Sequence, residues 1–77
     1  MIEWEDNSSG AGAKIAGFHY VNVHRYDGRY CTCVMSQTAV LSATTLDEAK
    51  EEALAIHLVY LRRAVREIAA TMAGSDD

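Results

Sequence analysis

The chain has no proline, one tryptophan, one phenylalanine and two cysteines. Without proline, no residue is barred from donating a backbone hydrogen bond, which suits a chain made almost wholly of regular structure. Two cysteines are too few for a disulfide-stapled scaffold. Their spacing, Cys31-x-Cys33, also argues against an internal bridge. Residues two apart on a strand point the same way, with Cα atoms about 6.5–7 Å apart. A disulfide needs Cα atoms about 4.4–6.8 Å apart and side chains turned together. Two reduced thiols are expected. Positive charge is scarce too. Seven Lys and Arg against eleven Asp and Glu give a net charge of -4, the wrong sign for a general nucleic-acid binder. No apolar run reaches the roughly 18 residues of a membrane span. The start, Met1-Ile2-Glu3-Trp4-Glu5-Asp6, is acidic where a secretory signal would be basic, so a cytoplasmic location is expected. No glycine-rich phosphate loop, paired-carboxylate site or Ser-His-Asp arrangement is visible; a non-enzymatic protein is expected, with no cofactor.

What is present is apolar. Residues of that kind make up 49% of 77 positions, enough for one small core in an 8.5 kDa chain. Residues 1–13 read as a mobile N-terminal arm, because Asn7-Ser8-Ser9-Gly10-Ala11-Gly12-Ala13 is small and polar. Ile2 and Trp4 are the exceptions and could dock a short strand. Residues 14–77 read as a single β-β-β-α domain.

Residues 14–26 are rich in β-branched and aromatic side chains, as are residues 29–35, and Asp27-Gly28 lies between them. An Asp-Gly pair between such runs is the strongest short hairpin signal, since both turn positions take positive φ. A two-residue turn fixes the register: Tyr26 faces Arg29, His24 faces Cys31, Val23 faces Thr32, Asn22 faces Cys33, Val21 faces Val34 and Tyr20 faces Met35. One face then carries Val21, Val23, Tyr30, Thr32 and Val34 with His19 and Arg25. The other carries Phe18, Tyr20, Cys31, Cys33 and Met35 with Asn22, His24 and Tyr26. Half-solvated sheets normally show one apolar and one polar face; here both are largely apolar. Ser36-Gln37 is expected to turn, and residues 38–43 to form a third strand.

Thr45 with Glu48 three residues on is a capping box, and the helix it opens is expected over residues 46–73, with Gly74 as C-cap. Ser75, Asp76 and Asp77 are expected to fray. Such a helix is about 42 Å long, against about 30 Å for a nine-residue strand, so one end overhangs the sheet. Leu46, Ala49, Ala53, Ile56 and Tyr60 make one apolar stripe. Leu54, Leu58, Leu61, Val65, Ile68 and Met72 make a second, and a helix with two stripes needs two partners. The second stripe is the expected homodimer interface. Acid at the helix start (Asp47, Glu48, Glu51, Glu52) and base at its end (Arg62, Arg63, Arg66) would suit antiparallel pairing of two copies.

Other candidate chemistry is sparse. His24, Cys31 and Cys33 share a sheet face and are ligand types for zinc, but no fourth ligand is evident, and cysteine as a small buried hydrophobe with His24 at a rim is the preferred reading; no metal is expected. His57 reads as a hydrogen-bonded core or interface residue. Tyr20, Tyr26, Tyr30 and Tyr60 could stack bases, but core and interface roles suit them better. Arg62, Arg63 and Arg66 read as a solvated helix face.

The segments Tyr20-Val21-Asn22-Val23, Asp27-Gly28-Arg29-Tyr30 and Thr45-Leu46-Asp47-Glu48-Ala49, in the order strand, turn, strand, strand, helix, resemble the β-β-β-α unit of HicB-type antitoxins. That likeness implies a regulatory partner protein. In size, charge and format the chain also resembles small phage anti-CRISPR proteins. This second likeness implies an inhibitor in the bacterial host cytoplasm that occupies a basic, nucleic-acid-binding surface of a CRISPR effector complex. Glu3, Glu5, Asp6, Asp47, Glu48, Glu51 and Glu52 would be its partner contacts. The expected fold is α+β: a three-stranded antiparallel sheet packed on one long C-terminal helix.

Overall fold

The computed structural model describes residues 2–74; the expected fraying of the last three residues lies outside them. The fold is α+β, an antiparallel sheet packed on one long C-terminal helix. The sheet has five strands rather than three: β1 (Glu5–Asn7), β2 (Gly10–Ile15), β3 (His19–Tyr26), β4 (Arg29–Val34) and β5 (Gln37–Val40), in spatial order β1-β2-β3-β4-β5. The helix α1 runs unbroken over Leu46–Gly74.

The two additional strands come from the segment expected to be an arm together with Lys14 and Ile15; the strand expected over residues 14–26 is broken by a turn at Ala16-Gly17, where φ is 55° and 81°. Asn7 builds their turn by accepting, through Oδ1, hydrogen bonds from the Ser9 backbone N–H and hydroxyl, both at 2.9 Å. This is an Asx-type turn. The ladder then pairs Asn7 with Gly10 and Gly12 with Asn22. Small residues are needed here because neighbours come so close. A Cβ on Gly10 would strike the Val23 carbonyl, and one on Gly12 would strike the Tyr20 ring and hydroxyl. Ala11 and Ala13 are buried on the side that takes the helix, as are Val21 and Val23. Low strand propensity is overridden by this fit.

The Asp27-Gly28 turn forms as expected, with φ of 54° and 76°, and sets the pairs Tyr26–Arg29, Arg25–Tyr30 and His24–Cys31. Beyond Cys31 the expected ladder gives way to side chains. The Thr32 hydroxyl donates to the Asn22 carbonyl at 2.6 Å, and the Asn22 Oδ1 accepts from the Cys33 N–H at 3.1 Å. The next turn is Met35-Ser36, one residue earlier than expected, with φ of 51° and 66°. That shift moves β5 to Gln37–Val40, and pairs Thr32 with Ala39.

The capping box forms: Glu48 N–H donates to Thr45 Oγ1 at 3.2 Å, and the Thr45 hydroxyl donates to Glu48 Oε1 at 2.8 Å. The helix crosses β2, β3 and β4 and buries Ala49, Ala53 and His57. The core is thin: Val21, Val23, Leu41, Ala49 and Ala53, with Trp4, Ile15, Tyr30, Leu46, Leu54 and Ile56 packed around it. Of the two apolar sheet faces, the one bearing Val21, Val23, Thr32 and Val34 meets the helix. Both faces of the close approach are testable. Gly10→Ala meets a backbone carbonyl and is expected to cost roughly 1–3 kcal/mol. Gly12→Ala meets the end of a side chain that can swing into solvent, and is expected to cost less. Urea unfolding of the two variants checks the order.

Candidate interaction surface

Three surfaces remain after the helix is seated. The first is the exposed half of α1. Helix residues 46–61 carry the buried and half-buried positions; from Arg62 on, Ala64 alone is half-buried and the rest are exposed. Within the second stripe Leu54 and Leu61 are half-buried, whereas Leu58, Val65, Ile68 and Met72 stand 46–66% exposed. The overhang is thus present, and the molecule measures 51 × 24 × 17 Å. Between the helix and β2–β3 runs an apolar groove of about 260 Å³, walled by Ile2, Ile15, His19, Leu54, Leu58 and Leu61.

The second surface is the sheet face turned away from the helix. Tyr20, Tyr26 and Val40 stand on it in solvent, and Phe18 and Met35 are exposed in its turns. Glu5 pairs with Gly12 and therefore shares this face. A shallow hollow lined by Glu3, Glu5, Gly12, Lys14 and Tyr20 lies at its β1 side. His24 and Cys31 do face each other here. However, His24 Nδ1 accepts from Asn22 Nδ2 at 3.2 Å, and Cys33 Sγ lies 3.7 Å from Thr38 Oγ1. Both cysteines are free. Among the described residues no three His, Cys, Asp or Glu side chains converge to hold a metal ion.

The third is the acidic set, which the fold divides. Glu52 is a loop anchor: its carboxylate accepts from the Ser42 N–H at 2.9 Å and the Ala43 N–H at 2.9 Å, as well as from the Ser42 hydroxyl. Glu48 is engaged in the capping box. Asp6 and Asp47 converge on Lys50, at 3.0 and 4.0 Å, and the Lys50 ammonium lies 5.6 Å from the centre of the Trp4 ring. This cluster ties the start of the chain to the first turns of α1. Among the described residues Glu3, Glu5 and Glu51 make no ion pair.

Beneath the helix lies a polar chain that sequence reasoning placed only in part. His57 Nε2 is 3.1 Å from Thr32 Oγ1, and His57 Nδ1 is 2.9 Å from His19 Nε2. The Thr32 hydroxyl proton is already given to the Asn22 carbonyl. Thr32 therefore accepts from His57 Nε2–H, and His57 Nδ1 accepts from His19 Nε2–H, a tautomer assignment that follows from the network. His57 is buried among apolar residues as expected, and His19 is its partner across the groove wall. Burial depresses the His57 pKa, and the neighbouring His19 depresses it further; a hydrogen bond with the Cys33 backbone opposes both.

Among the described residues no helix is long and apolar enough to cross a membrane. Comparison with protein-family models, curated proteins and solved structures returns no match.

The depressed His57 pKa has a definite sign. A histidine whose folded pKa lies below its unfolded value of about 6.5 favours the unfolded chain once protons bind. Its contribution is complete above about pH 6.5 and is lost as pH falls through the folded value. Folding free energy is therefore expected to decline from pH 7.5 to 5.5, and His57→Leu to flatten that decline. Urea unfolding at several pH values checks it; equal slopes in both proteins would contradict the assignment.

Proposed function

We propose that the chain is a non-enzymatic protein-interaction module whose foreign partner presents a basic surface. The observation that carries this reading is the open sheet face. It sets exposed Tyr20, Tyr26 and Val40 beside Glu5, on a chain of net charge -4. Aromatic side chains supply large contact area at low entropic cost, and acidic groups at the margin steer a basic partner and set its orientation. Of the acidic set, Glu3 and Glu5 have no ion pair among the described residues and line the hollow beside Tyr20, so they are the members left for a partner at this face; Glu51 is also without an ion pair but stands on α1, across the sheet from it. Asp6, Asp47, Glu48 and Glu52 serve the chain's own folding first.

The most concrete form of this reading is an inhibitor of the anti-CRISPR type, which holds a protein surface otherwise occupied by a phosphate backbone. Such a protein acts by occupancy, one chain per site. Its potency then follows affinity alone. The test is displacement of DNA from purified CRISPR effector complexes. The wild-type chain is expected to displace DNA stoichiometrically, and the double reversal Glu3→Lys, Glu5→Lys to weaken displacement by about tenfold or more, with an unchanged folded spectrum. No displacement, or equal displacement by both chains, contradicts the reading. Direct binding of the chain to DNA would also contradict it. Neutralisation of a co-expressed toxin would place the chain with antitoxins.

A further inference from the structure

We infer that the exposed apolar face of α1 is covered by the same face of a second copy, antiparallel, with each overhang filling the groove of the other. The inference goes beyond the proposed function: pairing needs no foreign partner, and a dimer that displaces no DNA would leave it standing.

The first argument is one of area. The chain exposes 5851 Å², whereas a compact monomer of 8.5 kDa exposes about 4,650 Å². Its radius of gyration is 14.8 Å, against about 11.5 Å for a compact chain of this length. The surplus of roughly 1,200 Å² exceeds the 800 Å² or so that each partner of a standard interface buries. Most of the departure from compactness is the projecting helix. An isolated helix of the overhang's length is marginal in water, so the last turns gain most from cover.

The second argument is the pattern. Leu54, Leu58, Leu61, Val65, Ile68 and Met72 recur at intervals of four, three, four, three and four residues. This is the a/d seam of a coiled coil. The pattern reads the same from either end, as a symmetric antiparallel contact requires. A two-fold axis crossing the helix at Arg63 sets Leu54 against Met72 of the second copy, Leu58 against Ile68 and Leu61 against Val65. Every layer is apolar in that register. Shifting the copies by one heptad one way would set Glu51 against Ile68 and Asp47 against Met72, and shifting them the other way would leave Leu54 and Leu58 facing positions beyond Gly74. Ala55, Ala64 and Ala69 flank it, and small residues there let the helices approach closely.

The third argument is the groove. It lies beside Leu54, Leu58 and Leu61, on the side of the helix toward Ile15 and His19. In the symmetric register, those are the residues faced by Val65, Ile68 and Met72 of the second copy. The part of the helix that lacks a sheet beneath it is thus the part that reaches the other chain's groove. The contact is isologous and closes on itself. Apolar fit sets the register, since Glu48 and Glu52 are engaged within their own chain.

Two measurements test this together. In light scattering the chain is expected at twice its 8.5 kDa mass. Val65→Asp or Ile68→Asp, each introducing a carboxylate into the seam, is expected to weaken association about a hundredfold or more. Both positions are exposed in the single chain, so the sheet and its helix contact need not unfold. Val59→Asp, exposed but off the seam, is expected to remain dimeric. Orientation is read by mixing Leu61→Cys chains with Val65→Cys chains, each also carrying Cys33→Ser, and oxidising. The mixed disulfide is expected to dominate. A wild-type monomer at the highest attainable concentration, a dimer indifferent to both seam carboxylates, or Leu61→Cys chains linking mainly to each other would overturn the proposal.

Discussion

The contact between Ala49 and Ala53 of the helix and Val21 and Val23 of the sheet fixes everything else in the molecule. All four are essentially buried, and the two alanines hold the helix axis low over the sheet. Close approach makes small residues mandatory on the strand beside it, where Ala11 and Ala13 are equally buried. It also leaves little volume to fill, so the core stays thin. A domain of this size supplies only about 3–5 kcal/mol from a core alone. The helix continues well past the sheet that seats it; its second apolar stripe begins on the wall of the groove beside β2 and β3 and runs out along the overhang.

A buried polar chain crosses this contact. His57 occupies the position one helical turn beyond Ala53, where an apolar side chain would continue the stripe. Its ring reaches Thr32, whose hydroxyl replaces a backbone bond where β3 and β4 depart from their ladder. On the other side it meets His19 at the start of β3, in the wall of the apolar groove. Every buried side-chain polar atom among the described residues has a partner. The chain therefore links the centre of the sheet to the groove wall, and it tolerates one imidazole proton between the two rings. A second proton there would set two N–H groups against each other.

Much of the architecture is legible in the residues themselves. Asp27-Gly28 admits one conformation of turn, Thr45 and Glu48 admit one helix start, and both are found. The overhang follows from helix length alone. The β1–β2 hairpin was not legible, because Gly10-Ala11-Gly12-Ala13 has the composition of a linker. It is a strand only because Tyr20, Val23 and the helix leave no room for anything larger. The signal that could have found it is local: Asn7-Ser8-Ser9 is an Asx-turn sequence, with Trp4 poised to reach the core. The expected register ran correctly for three pairs and then met Asn22 and Thr32, whose side chains compete with backbone groups for hydrogen bonds. Met35 in a left-handed turn could not be anticipated, since it is neither glycine nor asparagine. Of the candidate site residues, the seam positions fall on one face as their spacing demands. The acidic set is dispersed, because carboxylates near a helix start also serve as caps and loop anchors.

The central claim is that the far half of α1 is structured because a second copy covers it. Amide hydrogen exchange across residues 62–74, followed as the protein is diluted, tests this most directly. The account predicts slow exchange there in concentrated solution and fast exchange on dilution, while the amides of β3 remain protected throughout. Exchange across residues 62–74 that is independent of concentration, whether fast or slow, would contradict it.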